Sequence, residues 1–143
     1  ILRRRFSYKF FYYNLSQIQM SKLVDKWISS DTFSSINLNF NILNQIEEKD
    51  ILIILTNCPD FIGIPATRVL LKKRRNHIFS TVINKNKSVY HFTYKRHMHG
   101  FQKANLLEKI MERRKFKTFG FGDSPADKYF VDLCHYGEIK KFS

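Results

Sequence analysis

Acidic residues are scarce in this sequence, where 12 Asp and Glu stand against 25 Lys and Arg and leave a formal net charge of +13. The shortage is greatest at the start, since residues 1–24 contain no Asp or Glu at all. A surface this basic attracts phosphate groups, nucleic acid or an anionic membrane face over about a Debye length. Charge alone does not choose among these partners.

Cysteine is also rare, with only Cys58 and Cys134 present and no CxxC pair. This excludes a disulfide framework and the common cysteine-rich zinc motifs. We expect both thiols to be buried and unpaired, which suits an intracellular, reducing compartment. The acid-free, arginine-rich opening is typical of organelle-targeted proteins, so a mitochondrion or another organelle is the expected location.

Long apolar runs and flexible linkers are missing as well. No charge-free apolar stretch is long enough to cross a bilayer, so no transmembrane segment is expected. With 5 Gly and 3 Pro in 143 residues, no linker divides the chain. We therefore predict a single domain over residues 1–143, made of a basic aromatic segment (1–14), a helical cap or linker region (15–49) and a core (50–143).

What the sequence does contain is alternating strand and helix patterns. Apolar spacing predicts helices over 15–29, 37–48, 61–73, 101–115 and 124–134. Strands are predicted over 51–55, 77–82, 89–94, 118–121 and 138–142. The aliphatic run 51–55 is typical of a strand buried on both faces of a parallel sheet. This order of elements predicts an α/β fold.

Two carboxylates follow the predicted strand 118–121. Asp123 and Asp127 stand four residues apart in the segment 122–127, Gly-Asp-Ser-Pro-Ala-Asp. Ligands of open α/β sheets bind at the carboxyl ends of the strands. Oxygen atoms of this kind suit Mg²⁺, which is usually held by one or two carboxylates together with phosphate and water.

This segment resembles the fourth motif, GDSxxD, of the haloacid dehalogenase superfamily. Thr56, after the strand 51–55, is similar to the second motif, a Ser or Thr that contacts the phosphoryl group. Pro59, Asp60 and Phe61 resemble the usual continuation in phosphoserine phosphatase-like members. Lys103, near the start of a predicted helix, is similar to the third motif.

The resemblance implies a Rossmann-like three-layer sandwich with a mostly parallel sheet and a small or incomplete cap. It also implies roles for four residues. Thr56 would contact phosphate, Lys103 would stabilise the phosphoaspartyl intermediate, and Asp123 and Asp127 would be Mg²⁺ ligands or their second shell.

The first motif of that family, DxDxT, is absent from the chain. It carries the nucleophilic aspartate and the general acid. The closest stretch places Tyr12, Asn14 and Ser16 at the three positions, and neither Tyr12 nor Asn14 can replace a carboxylate in this chemistry. Alternatively, because the sequence begins with Ile1, the true first motif lies upstream. In the family the strand with this motif is central, so residues 7–13, an upstream segment or a partner segment must fill that place.

Three functional hypotheses follow. The favoured one is a catalytically degenerate phosphatase-type fold that acts as a structural or binding subunit of a larger protein or ribonucleoprotein assembly. The second is an active Mg²⁺-dependent phosphomonoesterase with an upstream first motif, and the third is an RNA-binding module unrelated to phosphatases. The expected partner contacts are Arg3, Arg4, Arg5, Lys9, Tyr12 and Tyr13, followed by residues 72–75.

Two further features have alternative interpretations. His77, His91, His97 and His99 suggest a zinc site, but no Cys or carboxylate stands between them, so a loop or a contact with an anionic partner is favoured. Cys58 follows a strand, as a nucleophilic cysteine would, but a small buried filler is the favoured interpretation.

Overall fold

The computed structural model describes residues 15–36, 40–71, 76–86, 89–112 and 116–140. It is a mixed α/β structure in which most strand pairs are parallel. The chain divides into two compact units, Ile1–Arg96 and His97–Ser143, and each is described by itself.

The first unit begins with a capped amphipathic helix, α1 (Gln17–Ile28). Ser16 accepts a hydrogen bond from the Gln19 backbone N–H and donates its own N–H to the Gln19 side chain, a reciprocal cap that satisfies two helix-end groups. The helix buries Met20 and Val24. This confirms the helix predicted over 15–29 with slightly shorter bounds.

The helix predicted over 37–48 is wrong in the described part of that segment. Only a four-residue helix, α3 (Phe40–Leu43), forms there, after another short helix, α2 (Asp31–Ser34), that the sequence did not predict. Asparagine is frequent between residues 37 and 44. Its side chain competes for backbone hydrogen bonds and disfavours the helix interior, which outweighs the apolar spacing.

The sheet of the first unit has three strands, β1 (Leu52–Pro59), β2 (Asn76–Asn86) and β3 (Val89–Arg96), in that spatial order. Helix α4 (Asp60–Leu71) connects β1 to β2, which run parallel as βαβ units do. Strands β2 and β3 form an antiparallel hairpin. This confirms the three predicted strands and the helix that connects the first two, although each observed strand is longer than predicted.

The core of this unit lies between α1 and the hairpin. Met20 and Val24 pack with Ile83 and Tyr90, all at most 5% exposed. The ring of Phe61, near the start of α4, meets that of Tyr90 at 4.5 Å between centroids. Helix α1, helix α4 and the hairpin are thereby held together by apolar contact.

Strand β1 is less buried than its sequence predicts. Its side chains are half-buried and Asn57 is exposed, so the prediction of a strand covered on both faces is wrong. Among the described strands, β1 lies at the edge of its sheet and pairs only with β2. The strand also continues past Thr56 to Pro59, although its pairing register shifts after Leu55.

The second unit contains helix α5 (Phe101–Met111), strand β4 (Phe119–Gly122), a 3₁₀ turn (Pro125–Asp127), helix α6 (Lys128–Val131) and strand β5 (Tyr136–Ile139). Strands β4 and β5 are parallel. The helix predicted over 124–134 is thus split into a 3₁₀ turn and a single helical turn. The last strand begins two residues before its predicted start, because the Tyr136 N–H bonds to the carbonyl of Thr118.

The described helices are short. The longest, α1 and α4, have 12 residues each, which corresponds to about 18 Å. A bilayer core is about 30 Å thick, so no helix within the described ranges has the length and apolar content to span it.

Candidate functional site

The segment after β4 forms a tight polar turn organised by one carboxylate. Oδ2 of Asp127 accepts hydrogen bonds from the backbone N–H groups of Asp123 (3.3 Å) and Ser124 (3.2 Å) and from the Ser124 hydroxyl (2.8 Å). Asp127 is 3% exposed. The aspartate at the end of the motif therefore shapes the loop that carries Asp123.

The other oxygen of Asp127 binds Lys103. The Lys103 Nζ donates to Asp127 Oδ1 at 2.5 Å, and both side chains are nearly inaccessible, at 11% and 5% exposed. Lys103 is the third residue of α5, whose start is set by Gly100 in a left-handed conformation with φ 51°. The ammonium also lies 5.7 Å from the ring centroid of Phe130.

Gly122, the last residue of β4, permits this arrangement. A Cβ atom there would lie 2.5 Å from Cβ of Asp127 and 2.9 Å from Cδ1 of Ile139. Only a residue without a side chain lets the strand approach the turn this closely. The glycine of the GDSxxD pattern thus has a steric explanation.

The electrostatics of the two aspartates differ. Burial by itself raises the pKa of Asp127, but the hydrogen bonds from Lys103, Asp123 and Ser124 outweigh it and lower the pKa to about 2. The hydrogen bond with Asp127, followed by burial, raises the pKa of Asp123 from its usual value. Asp127 is therefore ionised at neutral pH, whereas the pKa of Asp123 is higher and its carboxyl group is more accessible.

This geometry limits how a metal ion would bind. Both oxygens of Asp127 are engaged by protein donors. Of the two aspartates, only the exposed Asp123, which is itself hydrogen-bonded to Asp127, can offer an oxygen to a metal ion. The described part of the chain has no group of three or more His, Cys, Asp or Glu side chains placed for a metal. A single carboxylate beside phosphate and water is still compatible with Mg²⁺.

Thr56 lies in the first unit, in β1. Its hydroxyl oxygen accepts a hydrogen bond from the Cys58 N–H at 3.1 Å, and the adjacent Asn57 accepts one from the Thr81 hydroxyl at 3.1 Å. Lys103, Asp123 and Asp127 are brought together in the second unit.

The structure also reveals buried polar side chains in β2 that the sequence did not indicate as site residues. Ser80 and Thr81 are 0% and 1% exposed, and Asp60 is the first residue of α4. Among the described side chains, Asp60 Oδ1 and Ser80 Oγ are buried without a hydrogen-bond partner. The sequence signal for Ser80 and Thr81 was two adjacent hydroxyl residues within a predicted strand.

The remaining predicted site residues have other surroundings. The Ser16 side chain caps α1. Arg3, Arg4, Arg5, Lys9, Tyr12, Tyr13, Asn14 and residues 72–75 lie outside the described residues. The rings of His97 and His99 stack at 5.6 Å between centroids.

Both cysteines are free and half-buried. Burial raises the pKa of Cys58 to about 11, so its thiol is protonated at neutral pH and is a poor nucleophile. This supports the interpretation of Cys58 as a packing residue.

The first unit contains a shallow cavity of about 270 Å³. It opens at the amino end of β2, the opposite end from Thr56. Its lining combines one arginine and one histidine with apolar side chains and an amide: Ile64, Arg68, Asn76, His77, Ile78 and Phe79.

Comparison of the chain with protein-family models, with curated proteins and with solved structures finds no match.

The depressed pKa of Asp127 predicts acid sensitivity. Its folded-state pKa of about 2 lies below the ordinary 3.8, so the ionised carboxylate stabilises the fold above pH 3.8 and this stabilisation is lost as the pH falls through about 2. We expect a loss of up to about 2 kcal/mol, reduced by the opposite shift of Asp123. Urea unfolding measured from pH 5 to pH 2 tests this.

The control is the exposed Asp132, which pairs with Lys128 on α6. Asp127→Asn should flatten the acid limb of the stability curve, whereas Asp132→Asn should leave it unchanged. If the wild type and Asp127→Asn lost the same stability between pH 5 and pH 2, Asp127 would not be the source of the acid sensitivity.

Proposed function

We propose that this chain has a Rossmann-like, three-layer fold of the haloacid dehalogenase type and acts as a catalytically degenerate binding subunit of a larger assembly. The mixed α/β structure supports the fold, since the Thr56 strand and the Asp123 strand each belong to a parallel pair. Among the described strands, β1 and β4 each have one unpaired edge. Such an edge can accept the central strand that the fold requires.

The observation that carries the proposal is the buried Lys103–Asp127 ion pair beside Asp123. Lys103 and Asp127 are 24 positions apart in sequence, and each resembles a residue of a phosphatase motif. A buried ion pair is costly unless its geometry is good and its hydrogen bonds are complete. Here every oxygen of Asp127 has a donor, which supports a retained phosphatase-type pocket.

None of the motif residues found in the chain can serve as the nucleophile of a phosphatase. Asp127 cannot attack phosphorus because both of its oxygens are engaged. Residues 1–24 contain no carboxylate, so Tyr12, Asn14 and Ser16 cannot supply the missing first motif. Phosphate recognition without turnover is the function that this combination favours.

The net charge supports the proposed role as a subunit. A net charge of +13 favours docking onto an acidic or ribonucleoprotein surface, consistent with an organellar assembly. The contacts proposed from the sequence are the basic and aromatic residues of the opening segment: Arg3, Arg4, Arg5, Lys9, Tyr12 and Tyr13.

An active phosphomonoesterase is the second candidate, and the accessible Asp123 carboxylate favours it. Asp123 would then hold Mg²⁺, which supplies charge neutralisation at a substrate phosphate. Lys103 and Asp127 would keep the loop of Asp123 in position. A nucleophilic aspartate would have to come from a segment upstream of Ile1.

We expect the purified chain to show no hydrolysis of p-nitrophenyl phosphate above background in the presence of Mg²⁺. The reason is the missing carboxylate nucleophile, without which no phosphoaspartyl intermediate forms. Release of p-nitrophenol, followed by absorbance, is the measurement.

Sedimentation of the native protein from its source should show a particle larger than the free chain.

Asp123→Asn and the surface variant Asp132→Asn form the matched pair for this assay. Turnover that Asp123→Asn abolishes and Asp132→Asn retains would reject the degenerate assignment in favour of the enzyme. A native protein that sediments as a free monomer would reject the role as a subunit.

A further inference from the structure

Two large aromatic side chains lie exposed at the start of the β4–β5 pair. Phe119 and Tyr136 are direct partners in the ladder, and their rings stack at 5.1 Å between centroids with 14° between the planes. They remain 61% and 55% exposed. Paired rings of this size are normally buried, so their exposure indicates a contact surface.

A lysine completes this surface. The Lys117 Nζ lies 4.9 Å from the Tyr136 centroid and 5.8 Å from the Phe119 centroid, within cation–π range of both rings. In the sequence Arg113, Arg114 and Lys115 come just before it. We call Lys117, Phe119 and Tyr136 the aromatic platform.

The segments beneath the aromatic platform are joined by a dense set of hydrogen bonds. His135 donates its N–H to the Thr118 hydroxyl at 3.1 Å, and its Nδ1 accepts from the Thr118 N–H at 3.2 Å. The Tyr136 N–H donates to the Thr118 carbonyl at 3.1 Å. These bonds fix the starts of both strands. The rings are therefore preorganised, and little conformational entropy is lost when a ligand binds to them.

We propose that the aromatic platform binds single-stranded nucleic acid. Every base has a π face that can stack on exposed aromatic rings, and neighbouring cations bind the phosphate backbone. The interleaving of aromatic and basic residues from 113 to 119 and the net charge of +13 match this chemistry. Paired bases in a duplex are stacked on each other and are not available to the rings.

This surface is separate from the phosphatase-type pocket, and the inference does not rest on the proposed function. The aromatic platform stands at the amino end of β4, whereas Asp123 follows its carboxyl end. Substitutions in the aromatic platform therefore test nucleic-acid binding, and substitutions at Asp123 test the proposed function separately. Asp123→Asn should leave nucleic-acid binding intact.

Fluorescence anisotropy with labelled 12-mers of oligouridylate and oligothymidylate tests the proposal on the full chain. We expect binding that weakens as salt is raised, with both single strands bound more tightly than a duplex of the same length. Phe119→Ala and Tyr136→Ala should each weaken binding about tenfold. Comparison of the two oligomers shows whether the 2′-hydroxyl of RNA is read.

Tyr129→Ala is the matched control, since Tyr129 is an aromatic residue of the same unit that is 59% exposed. It should bind like the wild type, and Tyr136→Phe should retain most of the affinity. Lys117→Ala should weaken binding and reduce its salt dependence. Absence of binding, equal affinity for the duplex, or Phe119→Ala and Tyr136→Ala variants that are folded and bind normally would each overturn the proposal.

Discussion

Lys103→Met is expected to destabilise the protein by about 3–5 kcal/mol, the typical cost of removing one partner from a buried ion pair. Methionine keeps the apolar stem of the lysine beside Phe130 but leaves the Asp127 carboxylate without its cation. Asp127 is 3% exposed, so water cannot replace the lost ammonium without opening the unit. Urea unfolding followed by circular dichroism measures the loss, and amide hydrogen exchange over residues 97–140 locates it.

A second variant separates charge from packing. In Lys103→Met combined with Asp127→Asn, the asparagine oxygen can still accept from Asp123 and Ser124 while the buried charge is gone. We expect the double variant to recover at least half of the lost stability. The exposed pair of Lys128 and Asp132 supplies the control, because Lys128→Met should cost under about 0.5 kcal/mol. If Lys103→Met and Lys128→Met lowered the free energy of unfolding equally, the buried ion pair would not have the stabilising role assigned to it.

Gly122→Ala is the second substitution with a large expected effect, a destabilisation of roughly 3 kcal/mol through overpacking. Its Cβ would overlap with Cβ of Asp127 at 2.5 Å, an atom fixed close to the backbone of the 3₁₀ turn. A shift of the turn that relieves this overlap would displace Asp127 and disturb its ion pair with Lys103. The same unfolding experiment should therefore show lower stability and a weaker acid limb.

Gly63→Ala is a matched control in the other unit. A Cβ at Gly63 would come no closer than 3.3 Å to its nearest neighbour, Cβ of Cys58, and Gly63 lies inside α4. Alanine is favoured over glycine in a helix by about 1 kcal/mol, which offsets the tight contact. We expect a change within about 1 kcal/mol. A Gly122→Ala variant as stable as Gly63→Ala would show that the close approach is not required.

The sequence predicted the residues of the candidate site and the helix and strand ends at which they lie. Asp123 follows a short apolar strand, and Lys103 stands near a helix start, as the apolar spacing indicated. The sequence offered no sign that Asp127 would bind Lys103 with one oxygen and the Asp123–Ser124 turn with the other. That partnership joins residues 24 positions apart, and local patterns carry no information about it.

Two of the errors have a common origin in tertiary context, whereas the helix predicted over 37–48 fails for a local reason, its asparagines. Residues 51–55 are apolar enough for a fully buried strand, but β1 lies at the edge of the described sheet and stays half-buried. The predicted helix 124–134 is interrupted because Asp127 turns toward the Ser124 backbone and Lys103 instead of continuing a regular helix. Burial and long-range hydrogen bonds decided both outcomes.

The sequence by itself determined the α/β character of the chain, its strongly basic charge, the positions of most helices and strands, and the absence of a carboxylate near its start. These depend on composition and on apolar spacing along the chain, which act locally. Only the tertiary structure decided that Asp127 is a buried partner of Lys103, that Asp123 keeps the accessible carboxylate, and that Phe119 and Tyr136 form an exposed stack under Lys117. Burial, hydrogen-bond partners and pKa values depend on which distant segments meet, and that is set by packing in three dimensions.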